Sequence, residues 1–153
     1  MKKIILTISL MLVMCSCRQV NSNSESSDNI MARYDEIYKI ITDYGKRKIL
    51  EKKPYAKVIE NDRSDYEFRG PLTKEQVEKE LLEFKKEFPE AGEDWPFVPD
   101  GFPFDSYKDF LNEYQDGDEF YHCIWNSTMN MSETYLLIRE NEYLGEIVTR
   151  LGF

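Results

Sequence analysis

The hydrophobic period of this 153-residue chain changes at Asp116 and Gly117. Past that turn, "EFYHCIW", "TYLLIRE" and "YLGEIVTRL" alternate apolar and polar residues, which predicts three strands. Asn141 and Glu142 leave room only for a tight connection between the last two, so the C-terminal part reads as an antiparallel meander. Before the turn the spacing is three and four. Two to three N-terminal helices followed by a C-terminal antiparallel β-meander make an α+β domain.

The first helix carries Tyr34, Ile37, Tyr38, Ile41 and Tyr44 on one face. Gly45 is a place where it can soften or end, and Pro54 enforces a stop. Residues 54 to 72 offer a short strand in "YAKVIE" and then an exposed connection in "NDRSDYEFRGP". Thr73 and Gln76 form a capping box ahead of Val77, Leu81, Phe84 and Phe88, and Pro89 terminates that second helix. The next segment, "PEAGEDWPFVPDGFPF", has proline too dense for a helix or a central strand and reads as a loop. Ser106 with Asp109 caps a short third helix whose apolar face is Tyr107, Phe110, Leu111 and Tyr114.

The chain opens with Met1, Lys2 and Lys3, followed by an apolar run from residue 4 to 14 broken only by Thr7 and Ser9. That is the layout of a secretory signal peptide, and the run is shorter than the roughly 18 to 20 residues a membrane-spanning helix needs. With "LVMCSC" at its exit it resembles the lipobox of bacterial lipoproteins, in which a small residue precedes the cysteine that is acylated. Ser16 satisfies that position for Cys17, whereas Met14 before Cys15 is bulky. The resemblance implies a signal peptide over residues 1–16, a lipid anchor such as palmitate and diacylglycerol on Cys17, and a place on a membrane of the bacterial cell envelope. Several acyl chains are needed, because a single chain, at about 0.8 kcal/mol per buried methylene, anchors only marginally. Residues 17–29 then form the acylated end and a Ser/Asn-rich tether with a reach of roughly 20 Å. Residues 30–153 make a single α+β domain. The segment from "GDEFY" onward is similar to the endings of short uncharacterised bacterial proteins, a likeness that implies no activity.

No cofactor or metal motif stands out. With Cys17 acylated, Cys123 has no disulfide partner. His122 and Cys123 are adjacent on a strand, so they point to opposite faces and cannot form a nucleophile and base pair: Cys123 goes with Tyr121 and Trp125, His122 with Phe120 and Ile124. Asp116, Asp118 and Glu119 surround Gly117 as hard-cation ligands would, but Phe120 and His122 occupy positions where a calcium loop needs oxygen. They read as solvated acids of a turn. The sequons at Asn126 and Asn130 are discounted behind a bacterial leader.

The net charge of −9 lies wholly in residues 90 to 119, which hold ten acids against Lys108 alone. An acidic chain of this kind is a poor nucleic-acid binder. Residues 95 to 125 contain ten of the 21 aromatic residues and overlap the acidic segment. Either these rings pin the proline-rich loop to the sheet, or Trp95, Phe97, Phe102 and Phe104, with Asp94, Asp100 and Asp105, form a binding face. The leading expectation is a lipid-anchored protein-binding module of inhibitor, immunity or assembly type, facing a basic protein partner. A carbohydrate-binding or processing accessory that stacks a glycan on the rings comes second. A carboxylate-dependent hydrolase comes third.

Overall fold

The computed structural model describes residues 27–55, 57, 61–92, 95–128 and 130–152. The leader with Cys15 and Cys17, the tether to residue 26, and Asp94 fall outside them, as does most of the strand expected in "YAKVIE". Three helices flank one antiparallel sheet, so the expected α+β class holds.

Helix α1, Ser27–Lys52, starts three residues earlier than the expected domain boundary at residue 30 and runs through Gly45 without a break. It stops two residues before Pro54, whose ring excludes continuation. Strand β1, Tyr66–Leu72, occupies what the sequence suggested was an exposed connection. Tyr66 and Phe68 alternate there with Glu67 and Arg69, and they pair in register with Trp125 and Cys123. The sheet therefore has a fourth strand, inserted between the first two helices, beside the C-terminal meander.

Helix α2, Lys74–Glu87, begins at the predicted box: the Gln76 N–H donates to Thr73 Oγ1 (3.3 Å) and the Thr73 N–H to Gln76 Oε1 (2.8 Å). Helix α3, Tyr107–Glu113, is capped by Ser106, whose hydroxyl oxygen accepts from the Asp109 N–H at 3.2 Å. Strands β2 (Glu119–Asn126), β3 (Met131–Arg139) and β4 (Glu142–Gly152) complete the order β1-β2-β3-β4. Glu140 and Asn141 both take positive φ (47° and 66°), the backbone a two-residue hairpin turn needs. The connection thus sits one residue earlier than Asn141 and Glu142.

The sheet is covered on both faces, giving three layers. Ile37 of α1 packs on Tyr121, Cys123, Leu136 and Ile138. On the other face Val77 and Leu81 of α2 and Phe110 and Leu111 of α3 pack on Phe120, Tyr135, Leu137 and Ile147. His122 and Cys123 are split between these faces, as strand geometry requires.

Bulges in β4 decide which of its side chains face α1. Leu137 pairs with Gly145 but Ile138 with Tyr143, leaving Leu144 as an extra residue. Tyr143 and Glu146, three positions apart, consequently lie opposite Ile138 and Leu136 and share their face. Gly145 permits this with φ 156°; a Cβ there would come within 2.5 Å of the Phe104 ring.

Candidate functional site

The N-terminal half of α1 is fastened to the sheet. Arg33 donates to the Glu119 carboxylate and to the Tyr121 hydroxyl, and the Tyr34 hydroxyl donates to the Gly70 carbonyl at 3.1 Å. Past Ile37 the helix and the sheet enclose a cleft of about 630 Å³, within the range of roughly 300–1,000 Å³ common for small-molecule sites. Tyr38, Ile41, Thr42, Gly45 and Ile49 supply the helical wall, at the spacing of one helix face. Cys123, Trp125, Thr134, Leu136 and Glu146 supply the sheet wall.

Two aromatic groups stand along this cleft. In the first, Tyr38 meets Tyr66 edge-on at 5.2 Å and Tyr66 lies 6.4 Å from Trp125; Asn61 fixes both tyrosines, accepting from Tyr38 through its carbonyl (2.6 Å) and donating to the Tyr66 hydroxyl (3.0 Å). In the second, Tyr44 stacks on Phe102 at 5.8 Å and meets Tyr143 edge-on at 4.9 Å, with Arg47 and Lys48 over the Tyr44 ring. Each group contains one polar atom that the fold leaves in an unusual state.

At the first, the Trp125 indole N–H is buried without a hydrogen-bond partner. A buried donor left unpaired costs about 1–3 kcal/mol, so native folds seldom retain one. At the second stands Glu146. Burial pushes its carboxyl above the usual carboxylate range, and the Tyr143 hydroxyl only partly opposes this. Cys123 nearby is pushed up to about 12, chiefly by burial and then by the Glu146 charge, so it remains a thiol at neutral pH. A protonated, enclosed thiol is a poor nucleophile.

The opposite face carries a closed polar network. Arg69 grips both oxygens of Glu80 (2.8 and 2.6 Å), which also accepts from the Tyr135 hydroxyl at 2.6 Å, while His122 Nε2 lies 2.8 Å from Glu133. The Arg69 guanidinium holds Glu80 below the usual range, and His122 does the same for Glu133. Glu80 thus ties α2 to β1 and β3, and the His122–Glu133 pair joins β2 to β3.

The acidic turn differs from the solvated acids expected of it. The Asp118 side chain is 2% exposed and accepts from Arg139 through both oxygens (2.8 Å each) and from the Gln115 N–H (2.9 Å). Glu113 also reaches Arg139 at 3.2 Å, and Glu119 is held by Arg33. Asp116 is exposed. Among the described residues no three His, Cys, Asp or Glu side chains are grouped to hold a metal ion.

Of the four rings expected to form an exposed face, one is largely open. Phe97 is 40% exposed and its backbone bridges to Val148 at the edge of β4. Trp95 stacks on Phe84 at 4.4 Å and donates its indole N–H to the Thr149 carbonyl at 3.1 Å. Phe104 is 8% exposed against Phe110, and Phe102 belongs to the cleft. The loop is thus a clasp around the β4 edge, with Asp100 and Asp105 exposed on its outer side. Sequence reading missed the cleft; its one local sign was Glu146, a lone carboxylate inside the apolar run of β4. No family model, curated protein or solved structure matches the chain.

Proposed function

We propose that this chain is a lipid-anchored protein of the bacterial cell envelope that works by binding, with the cleft between α1 and the sheet as its ligand site. The observation that carries the cleft reading is the buried Trp125 N–H, which lacks an acceptor in a residue that helps to line the 630 Å³ space. A ligand oxygen there would recover the desolvation cost of that donor. The anchor rests on the lipobox-like "LVMCSC". Nine residues lie between Cys17 and the first residue of α1, a length of chain that spans at most about 35 Å, so an acylated Cys17 would hold the domain close to the bilayer.

Two experiments test this. Labelling cells with an alkyne analogue of palmitate is expected to tag the protein and to fail with Cys17→Ser; label retained by that variant refutes the anchor. For the cleft, 2-phenylethanol is expected to receive saturation transfer from the protein. Gly45→Phe is expected to abolish it, since Gly45 lines the cleft and a Cβ there meets nothing within 4 Å. Undiminished transfer to that variant refutes the site.

A second reading concerns the outer side of the clasp. Phe97, Asp100 and Asp105 of the same loop are all exposed, which suits a basic protein partner. Replacing both acids by alanine is expected to weaken capture of that partner and reduce its salt dependence. Capture that is unchanged counts against it.

A further inference from the structure

We infer that the cleft is specific for an organic cation: a primary or quaternary ammonium on an aromatic or apolar body, with its charge at Glu146 among Tyr44, Phe102 and Tyr143. The inference rests on the cleft being a ligand site. Among the described residues the charged groups lining it are Lys39, Asp43 and Lys46 on α1 and Glu146 on the sheet. Those on the helix have both signs and are exposed. Among the described residues Glu146 is the one carboxylate on the sheet wall, and the other polar groups there, Tyr66, Cys123, Trp125, Ser132, Thr134 and Tyr143, carry no formal charge.

A carboxyl enclosed by aromatic rings is a costly choice for structure alone, because leucine or glutamine would fill the position without the desolvation penalty of a charge. The Tyr143 hydroxyl, on the same strand, only partly offsets that penalty, and among the described residues no cation forms an ion pair with Glu146. An ammonium would supply the missing countercharge and at the same time meet the faces of the tyrosines and Phe102, which attract cations. Arg47 and Lys48 lie over the Tyr44 ring at 5.5 and 5.6 Å, so this end of the cleft already holds cations against an aromatic ring.

The register also bounds the ligand's length. Trp125 pairs with Ser132 and Glu146 with Leu136, from strands on either side of β3. Four residues along β3 and two strand spacings across place the two Cα atoms about 16 Å apart. With both residues lining the cleft, a ligand that reaches both ends has a comparable length.

The test compares phenethylammonium with its neutral near-isostere 2-phenylethanol by calorimetric titration of the detergent-solubilised full chain at pH 8. The ammonium is expected to bind at least about tenfold more tightly. Glu146→Gln is expected to bring the ratio close to one, and Glu146→Asp to keep a preference for the ammonium. Equal affinities for the native chain, or a preference that survives in Glu146→Gln, overturn the cation inference and leave an aromatic cleft standing. Binding of neither probe to the native chain overturns the cleft reading and the inference with it.

Discussion

Replacing Glu146 with glutamine isolates the energetic consequence of burying a carboxyl in the cleft. Its ordinary pKa is near 4.5, and burial raises it in the folded state. A folded pKa above the unfolded one means the native state holds the proton more tightly. The resulting contribution to stability is fully present below the unfolded value and is lost as pH rises through the folded one. One group releases one proton, so between those two values the native chain loses at most about 1.4 kcal/mol per pH unit relative to the glutamine variant. Below pH 4 the two proteins should respond to pH in parallel, and above the folded pKa their difference should be constant again. For a domain with a total stability of about 5–15 kcal/mol, even one unit of displacement is readily measured. Urea denaturation followed by tryptophan emission from pH 4 to 8 provides the assay. Glu80, Glu133 and Asp118, all held below the usual carboxylate range by Arg69, His122 and Arg139 respectively, are common to both proteins and cancel in the difference. A difference that is flat from pH 4 to 8, or that favours the native chain as pH rises, refutes the buried-carboxyl account.

Gly145→Ala is expected to destabilise by about 2–5 kcal/mol in the same urea assay, from positive-φ strain and the 2.5 Å approach to Phe104; a loss below about 1 kcal/mol contradicts the bulge geometry. Gly45→Ala sits mid-helix with open space around its Cβ and is expected to stabilise by about 0.5–1 kcal/mol, so a destabilisation means α1 is not continuous there. Asp118→Asn is expected to cost about 2 kcal/mol at pH 7, by weakening the paired grip of Arg139 on a buried carboxylate. Because Asp118 has a lowered pKa, that cost is present above its ordinary 3.8 and shrinks as pH falls through the folded value; an unchanged difference in acid assigns the loss to packing instead.

Features set by near neighbours were legible in the sequence. Thr73 with Gln76 and Ser106 with Asp109 are capping pairs three residues apart, and both cap helices where the pattern places them. The alternation of β2, β3 and β4 likewise needs no distant information. Strand β1 was obscured because Arg69, Gly70 and Pro71 follow a charged stretch and look like a connection, while its partners lie about fifty to sixty residues away. Internal use of the acids was hidden in the same way, since Arg33 is 86 residues from Glu119 and Arg139 is 21 from Asp118.

The cleft was the least legible feature, because it is a place where packing stops. Nothing in the spacing of Tyr34, Ile37, Tyr38, Ile41 and Tyr44 says that Ile37 seals against the sheet while Tyr38 and Tyr44 stand over open space. Nor does alternation assign Glu146 to the α1 face, because the extra residue at Leu144 shifts it. The aromatic abundance of residues 95 to 125 was visible, but its division into clasp, core and cleft depended on the partners Phe84, Phe110 and Tyr44.

The two tryptophans give the most direct test of the central claim, since one indole N–H is bonded to the Thr149 carbonyl and the other has no acceptor. In nitrogen–proton correlation spectra of the isotope-labelled chain, titrated with 2-phenylethanol, whose hydroxyl oxygen can accept from the free indole N–H, the Trp125 side-chain signal is expected to shift in a saturable way while that of Trp95 stays in place. A Trp125 signal that does not move, or a Trp95 signal that moves with it, would contradict binding in the cleft.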